Sequence, residues 1–269
     1  MVTGGSLGTL ETLLQAGDFA GLSPAGRGGE PVPTGFAPLD SLLPAGGVRR
    51  GGLVEWLAGD QASGAATLAA AVACRLAGWP AAAAAHADRS GETAATIVVV
   101  DRRGWFHPPA VLGWLARAGA AGRRPPQLVV ARPAHEADEL WAIDQALRCR
   151  GVAAVLAWPQ AIHSTAMRRW QLAARASLVV GLFVRPLEAR REPSWAEARF
   201  AVAARPGGSL AVRRLHVALV GGPWAGAAQV EERSVEIGLD IGRGCEAALA
   251  PQPSARHVRR REVAACRAL

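Results

Sequence analysis

Short apolar runs at Leu53 to Leu57, Thr96 to Val100, Leu128 to Val130, Val152 to Ala157 and Leu178 to Val184 lie between stretches rich in glycine, proline and charge. They are too short for ordinary helices and do not alternate with polar residues, so they predict strands buried on both faces. Between them the apolar positions recur at helical spacing. Leu140, Ile143 and Leu147 form one face of Ala137 to Arg148; Thr67 to Leu76 is alanine-rich; and Met167, Trp170 and Ala174 lie opposite Arg168, Arg169 and Arg175. Strands alternating with helices predict an α/β fold with a mostly parallel, twisted sheet covered by helices on both faces. The runs Arg199 to Ala203 and Leu215 to Val220 have only Gly/Pro loops between them, which predicts an antiparallel extension at one sheet edge.

Both ends of the chain break this pattern. Leu7, Leu10, Leu13 and Leu14 share one helix face, which serves equally to dock a partner or to pack on the chain's own domain, and Gly21 to Pro33 is a Gly/Pro-rich linker. From Pro251 to Leu269 the chain is basic and poor in apolar residues, with Arg256, Arg259, Arg260, Arg261 and Arg267, and is expected to be disordered when free. Such an arm suits nucleic acid or an acidic partner, or is an idle solvated tail. The predicted organisation is 1–32 helix and linker, 33–246 core, and 247–269 tail.

The 269 residues, 50% hydrophobic and 19% charged, suffice for one good-sized core. All 30 basic residues are Arg, and Lys, Tyr and Asn are missing, as a G+C-rich coding sequence produces. The net charge of +8 favours an acidic partner, discounted for that coding bias. Met1 to Asp18 lacks a basic leader and no long uncharged apolar stretch follows, so the expected location is cytoplasmic, with no membrane contact. Cys74, Cys149, Cys245 and Cys266 are far apart without a C-x-x-C, which argues against a zinc knuckle and predicts reduced, buried thiols. No histidine spacing matches a metal site, and His163 beside Ser164 lacks a triad context, so neither a metal nor a nucleophile is assigned. Nine tryptophans mostly predict core, and any left exposed predict a protein interface.

The segment Gly59-Asp60-Gln61-Ala62-Ser63-Gly64-Ala65-Ala66-Thr67 keeps the two glycines of a phosphate-binding loop. Ala65 stands where the phosphate lysine belongs and Ala66 where the magnesium hydroxyl belongs. Gly59, Ser63, Gly64 and Thr67 remain candidates for a worn nucleotide cradle, because backbone N–H groups at a helix N-terminus still favour an anion. The alternative is a plain strand-to-helix turn, and Asp60 opposes an anion there.

Thr34-Gly35-Phe36, Leu39-Asp40, Pro44-Ala45-Gly46-Gly47 and Arg50-Gly51-Gly52-Leu53-Val54-Glu55, running straight into Gly59, resemble the lead-in to the RecA-type recombinase ATPase core. Val98-Val99-Val100-Asp101 is similar to that family's second core strand, Val152 to Trp158 to its Walker B strand, and Leu178 to Arg185 to the strand before its DNA-binding loop. Within the superfamily the chain most resembles the ImuA family of RecA-like accessory proteins in bacterial translesion synthesis. That resemblance implies a noncatalytic partner of an error-prone polymerase assembly or recombinase, made in the SOS response to DNA damage, with no required cofactor. Trp158 stands where such enzymes carry the metal acid and Arg103 where they carry the general base, and a guanidinium stays protonated. Without these groups ATP and magnesium are not expected to be used. The alternatives are a DNA-dependent ATPase with unconventional residues and an interaction scaffold outside DNA metabolism.

Arg185, Arg190, Arg191 and Trp195 fall where the resemblance places the loop that tracks single-stranded DNA. Arginines that neutralise phosphates and a stacking indole suit that task. Glu188 and Glu192 dilute the charge and leave a solvated loop as the alternative. In the tail, Arg259, Arg260 and Arg261 are the matching candidates for DNA or partner binding.

Overall fold

The computed structural model describes residues 29–79, 95–119, 124–207, 209–222 and 233–249. A ribbon of β1 (Pro31–Val32) and β2 (Val48–Arg49) encloses α1 (Ala37–Leu42) and leads into β3 (Leu53–Ala58). There follow α2 (Ala65–Gly78), β4 (Thr96–Val100), α3 (Pro109–Ala118), β5 (Gln127–Ala131), α4 (Glu136–Arg148), β6 (Val152–Ala157), α5 (Ser164–Ser177) and β7 (Val180–Pro186). The chain closes with β8 (Ala198–Arg205), β9 (Val212–Gly221), β10 (Ser234–Asp240) and β11 (Cys245–Glu246).

Nine strands form one sheet in the order β11-β10-β9-β8-β3-β7-β6-β4-β5. The strands from β8 to β5 are parallel, and β9, β10 and β11 extend the sheet antiparallel beyond β8. The fold is therefore α/β, with a large, mostly parallel mixed sheet flanked by helices. On one face Leu68 and Val72 of α2 and Trp114 of α3 share a core with Val54, Trp56, Ile97 and Val99. On the other, Ile143 and Leu147 of α4 and Met167 and Trp170 of α5 pack with Leu53, Val155 and Phe183.

Two expectations shift at their edges. Leu178 does not open β7 but ends α5 in the left-handed region at φ 63°, because Ser177 Oγ still bonds the carbonyls of Ala173 and Leu147 and holds the last turn. Pro31 and Val32, assigned to the linker, pair with Arg49 and Val48 and so belong to the folded unit. The predicted leucine helix and the tail from Pro251 lie outside the described residues.

Strand β8 runs parallel to β3 although little chain separates it from β7. The segment 187–197 must return across the sheet face to begin β8, and it does so through a single 3-10 turn, Leu187–Arg191, rather than a crossover helix. Cys74 is buried, and burial pushes its thiol up to about 12. Cys149 and Cys245 are exposed, contrary to the expectation of buried thiols, because they sit at the ends of surface elements. No helix among the described residues is long and apolar enough to cross a membrane.

Candidate functional site

Because β3, β4, β6 and β7 are parallel, their carboxyl ends and the loops after them share one edge of the sheet. That is where open α/β folds bind ligands. The loop after β3 carries the two glycines. Gly59 is exposed with open space beside it, whereas Gly64 adopts φ 86°, a conformation that favours glycine. A Cβ at Gly64 would lie 2.5 Å from Leu215 Cδ2 of β9. Ser63 is buried, and its Oγ accepts the Ala65 N–H at 3.4 Å. Arg213 Nη2 donates to the Ala62 carbonyl at 3.1 Å. Thr67 is half-buried on the first turn of α2. The antiparallel extension therefore packs against the loop and holds it as a tight turn.

The neighbouring strand ends are occupied as well. Trp158, beyond β6, is buried with its ring centroid 6.3 Å from that of Phe106, so an aromatic pair fills the place where the resemblance puts a metal acid. Asp101, at the end of β4, is 1% exposed. Its Oδ1 accepts the Trp105 N–H at 3.0 Å and its Oδ2 accepts the Phe106 N–H at 2.9 Å, so the carboxylate shapes the 101–106 turn. Arg103 stacks on Trp105, with its guanidinium carbon 4.8 Å from the ring centroid. Among the described residues no group of His, Cys, Asp and Glu could hold a metal ion.

The proposed strand-tracking residues separate. Arg185 is not a surface cation: its side chain is 1% exposed, with Nη1 2.7 Å from Glu55 Oε1 and Nη2 2.6 Å from Glu192 Oε2. It also donates to the Gln160 carbonyl at 3.2 Å. Arg199 completes the cluster, with Nε 2.5 Å from Glu55 Oε2 and N–H groups bonded to the carbonyls of Ala189, Arg190 and Glu192. A glutamate in the central strand is thus matched by two arginines that clamp the 187–192 segment to the sheet. Arg190 and Arg191 are exposed on the outside of that clamp. Trp195 is half-buried, bonded to Ser164 Oγ at 3.3 Å, and carries Arg168 over its ring at 4.4 Å. Arg259, Arg260 and Arg261 lie outside the described residues.

Sequence reasoning missed Arg199, Leu215 and the role of Glu55. One signal was present, since a lone acid inside the apolar run Leu53 to Leu57 demands a buried partner. Which arginine answers it depends on strand neighbours that the sequence does not reveal. Two tryptophans are left exposed: Trp105 is 40% exposed and Trp141, on the outer side of α4, 65%. Trp56, Trp114, Trp158 and Trp170 are core. No protein-family model matches the chain, and no curated protein matches it significantly.

Proposed function

We propose that this chain is a RecA-like core without ATPase activity that acts as a binding subunit in DNA-damage-induced mutagenic translesion synthesis, engaging an error-prone polymerase assembly or recombinase and single-stranded DNA. The lead-in from Thr34 to Glu55 and the order of the later strands support the resemblance, and the mixed nine-strand sheet is compatible with it. One observation carries the noncatalytic part. The four positions that phosphoryl transfer needs hold Ala65, Ala66, Arg103 and Trp158, and two of them, Ala65 and Trp158, are buried in the core. Losing even one preorganised charge-stabilising donor costs roughly 10²- to 10³-fold in rate, so losing all four removes the reaction.

Adding ATP and magnesium at about millimolar concentration is expected to leave the melting temperature unchanged. A rise of several degrees would overturn the empty-loop reading and favour an unconventional ATPase. Affinity capture from DNA-damaged cells tests the rest, with a polymerase or recombinase as the expected partner. Capture of neither, together with damage-independent expression, would favour a scaffold outside DNA metabolism.

A further inference from the structure

Away from the phosphate-type loop, at the amino end of β3, two arginines hold buried N–H groups that lack acceptors. Arg50 is only 6% exposed, and its Nε and Nη1 are sealed from solvent and bonded to nothing. Arg175, in the last turn of α5, has its Nε in the same condition. Gly51 brings the two elements together, since a Cβ there would stand 3.0 Å from Arg175 Cα and 3.1 Å from the Ala174 carbonyl oxygen.

The acids nearby do not answer this charge. Glu30 is opposite Arg50 across the ribbon, with the Arg50 N–H donating to the Glu30 carbonyl at 3.3 Å, yet the Glu30 side chain is exposed and no ion pair joins the two. Glu197 faces Arg49 and Arg175 rather than Arg50, and burial pushes its carboxyl pKa up. Burial likewise lowers the Arg50 pKa, with only Glu30 acting against it.

A buried guanidinium without acceptors costs several kcal/mol, and replacing such a charge with an apolar group of similar shape is often neutral or stabilising. Local violations of this kind are expected at functional positions. We propose that Arg50, with Arg175 beside it, is a receptor for an oxyanion, a carboxylate or a phosphate. Each of the two open Arg50 donors offers an oxygen of either group a charge-assisted hydrogen bond. The site is separate from the loop after β3 and stands or falls independently of the proposed function.

The test uses the full chain and its Arg50→Met, Arg50→Lys and Glu30→Gln variants, melted in chloride, acetate and phosphate at equal ionic strength. In chloride, Arg50→Met is expected to melt no lower than the wild type. Phosphate or acetate is expected to raise the wild type several degrees more than Arg50→Met, with Arg50→Lys recovering less than half of the difference and Glu30→Gln responding at least as strongly as the wild type. A response to phosphate alone assigns a phosphate ligand, and a response to both anions admits a carboxylate. Equal responses in the wild type and Arg50→Met would mean general salt exclusion and overturn the site. Matching losses of several degrees in chloride for Arg50→Met and Glu30→Gln would reveal a structural Arg50–Glu30 pair and would equally overturn the site. If Arg50→Met does not fold, Arg50→Lys carries the comparison.

Discussion

Single residues in this protein matter where backbone or charge has no second choice. Gly64 combines φ 86° with Leu215 Cδ2 2.5 Å from the position a Cβ would take. Gly64→Ala should therefore cost about 2–3 kcal/mol, part from the left-handed backbone and part from displacing Leu215. Equilibrium denaturation of the two proteins measures it, and a loss below about 0.5 kcal/mol would mean that the loop is not held against β9. Glu197 is a second such residue. Burial pushes its carboxyl above the ordinary value of 4.5 against the opposing pull of Arg175 and Arg49. Between those two values the folded state holds a proton that the unfolded chain has released, so its contribution to stability falls as pH rises through that window. Glu197→Gln should accordingly melt higher than the wild type near neutral pH, with the advantage shrinking as pH falls towards 4.5. Melting curves from about pH 4 to about pH 8 decide it, and a constant difference would count against the burial effect.

At the scale of elements, the unusual feature is the short return from β7 to β8. A parallel connection without a helix leaves the sheet face to be covered by a polar segment, and the cluster of Glu55, Arg185, Arg199 and Glu192 makes that cover stable. Arg199 does more than neutralise charge, since it also satisfies three carbonyls of the segment. Breaking a buried pair by removing one partner typically costs about 3–5 kcal/mol. Arg199→Met should destabilise the fold by that order and make the 187–197 segment the first site of limited proteolysis. Cleavage elsewhere, with 187–197 still protected, would show that the clamp is not what holds it. Clamping also fixes where Arg190 and Arg191 project, while withdrawing Arg185 from any contact with a phosphate.

For the whole molecule, binding is expected to rest on exposed surfaces and the basic arm. Removing Pro251 to Leu269 subtracts a strongly basic stretch from a chain of net charge +8. Affinity for single-stranded DNA, measured by fluorescence anisotropy against salt, should drop and its salt dependence flatten, because fewer counterions are released. An unchanged affinity and slope would remove the tail from the interaction.

The strands from β3 to β9 and the helices α2, α4 and α5 were legible because local patterns determine them: short apolar runs mark strands, alanine richness marks α2 and one-sided stripes mark α4 and α5, whereas β5, expected to be buried on both faces, is partly exposed because it forms the sheet edge. The residues at the positions where the resemblance would place catalytic groups were legible too, since Ala65, Ala66, Arg103 and Trp158 cannot supply that chemistry in any fold. Pairings between distant segments were not legible, because a side chain's partners depend on which strands become neighbours. Only the tertiary structure, by setting β7, β3 and β8 side by side, turned Arg185 from an apparent surface cation into the buried partner of Glu55. Packing across the sheet likewise set Leu215 on Gly64 and left Arg50 without an acceptor, outcomes of geometry that no local pattern encodes.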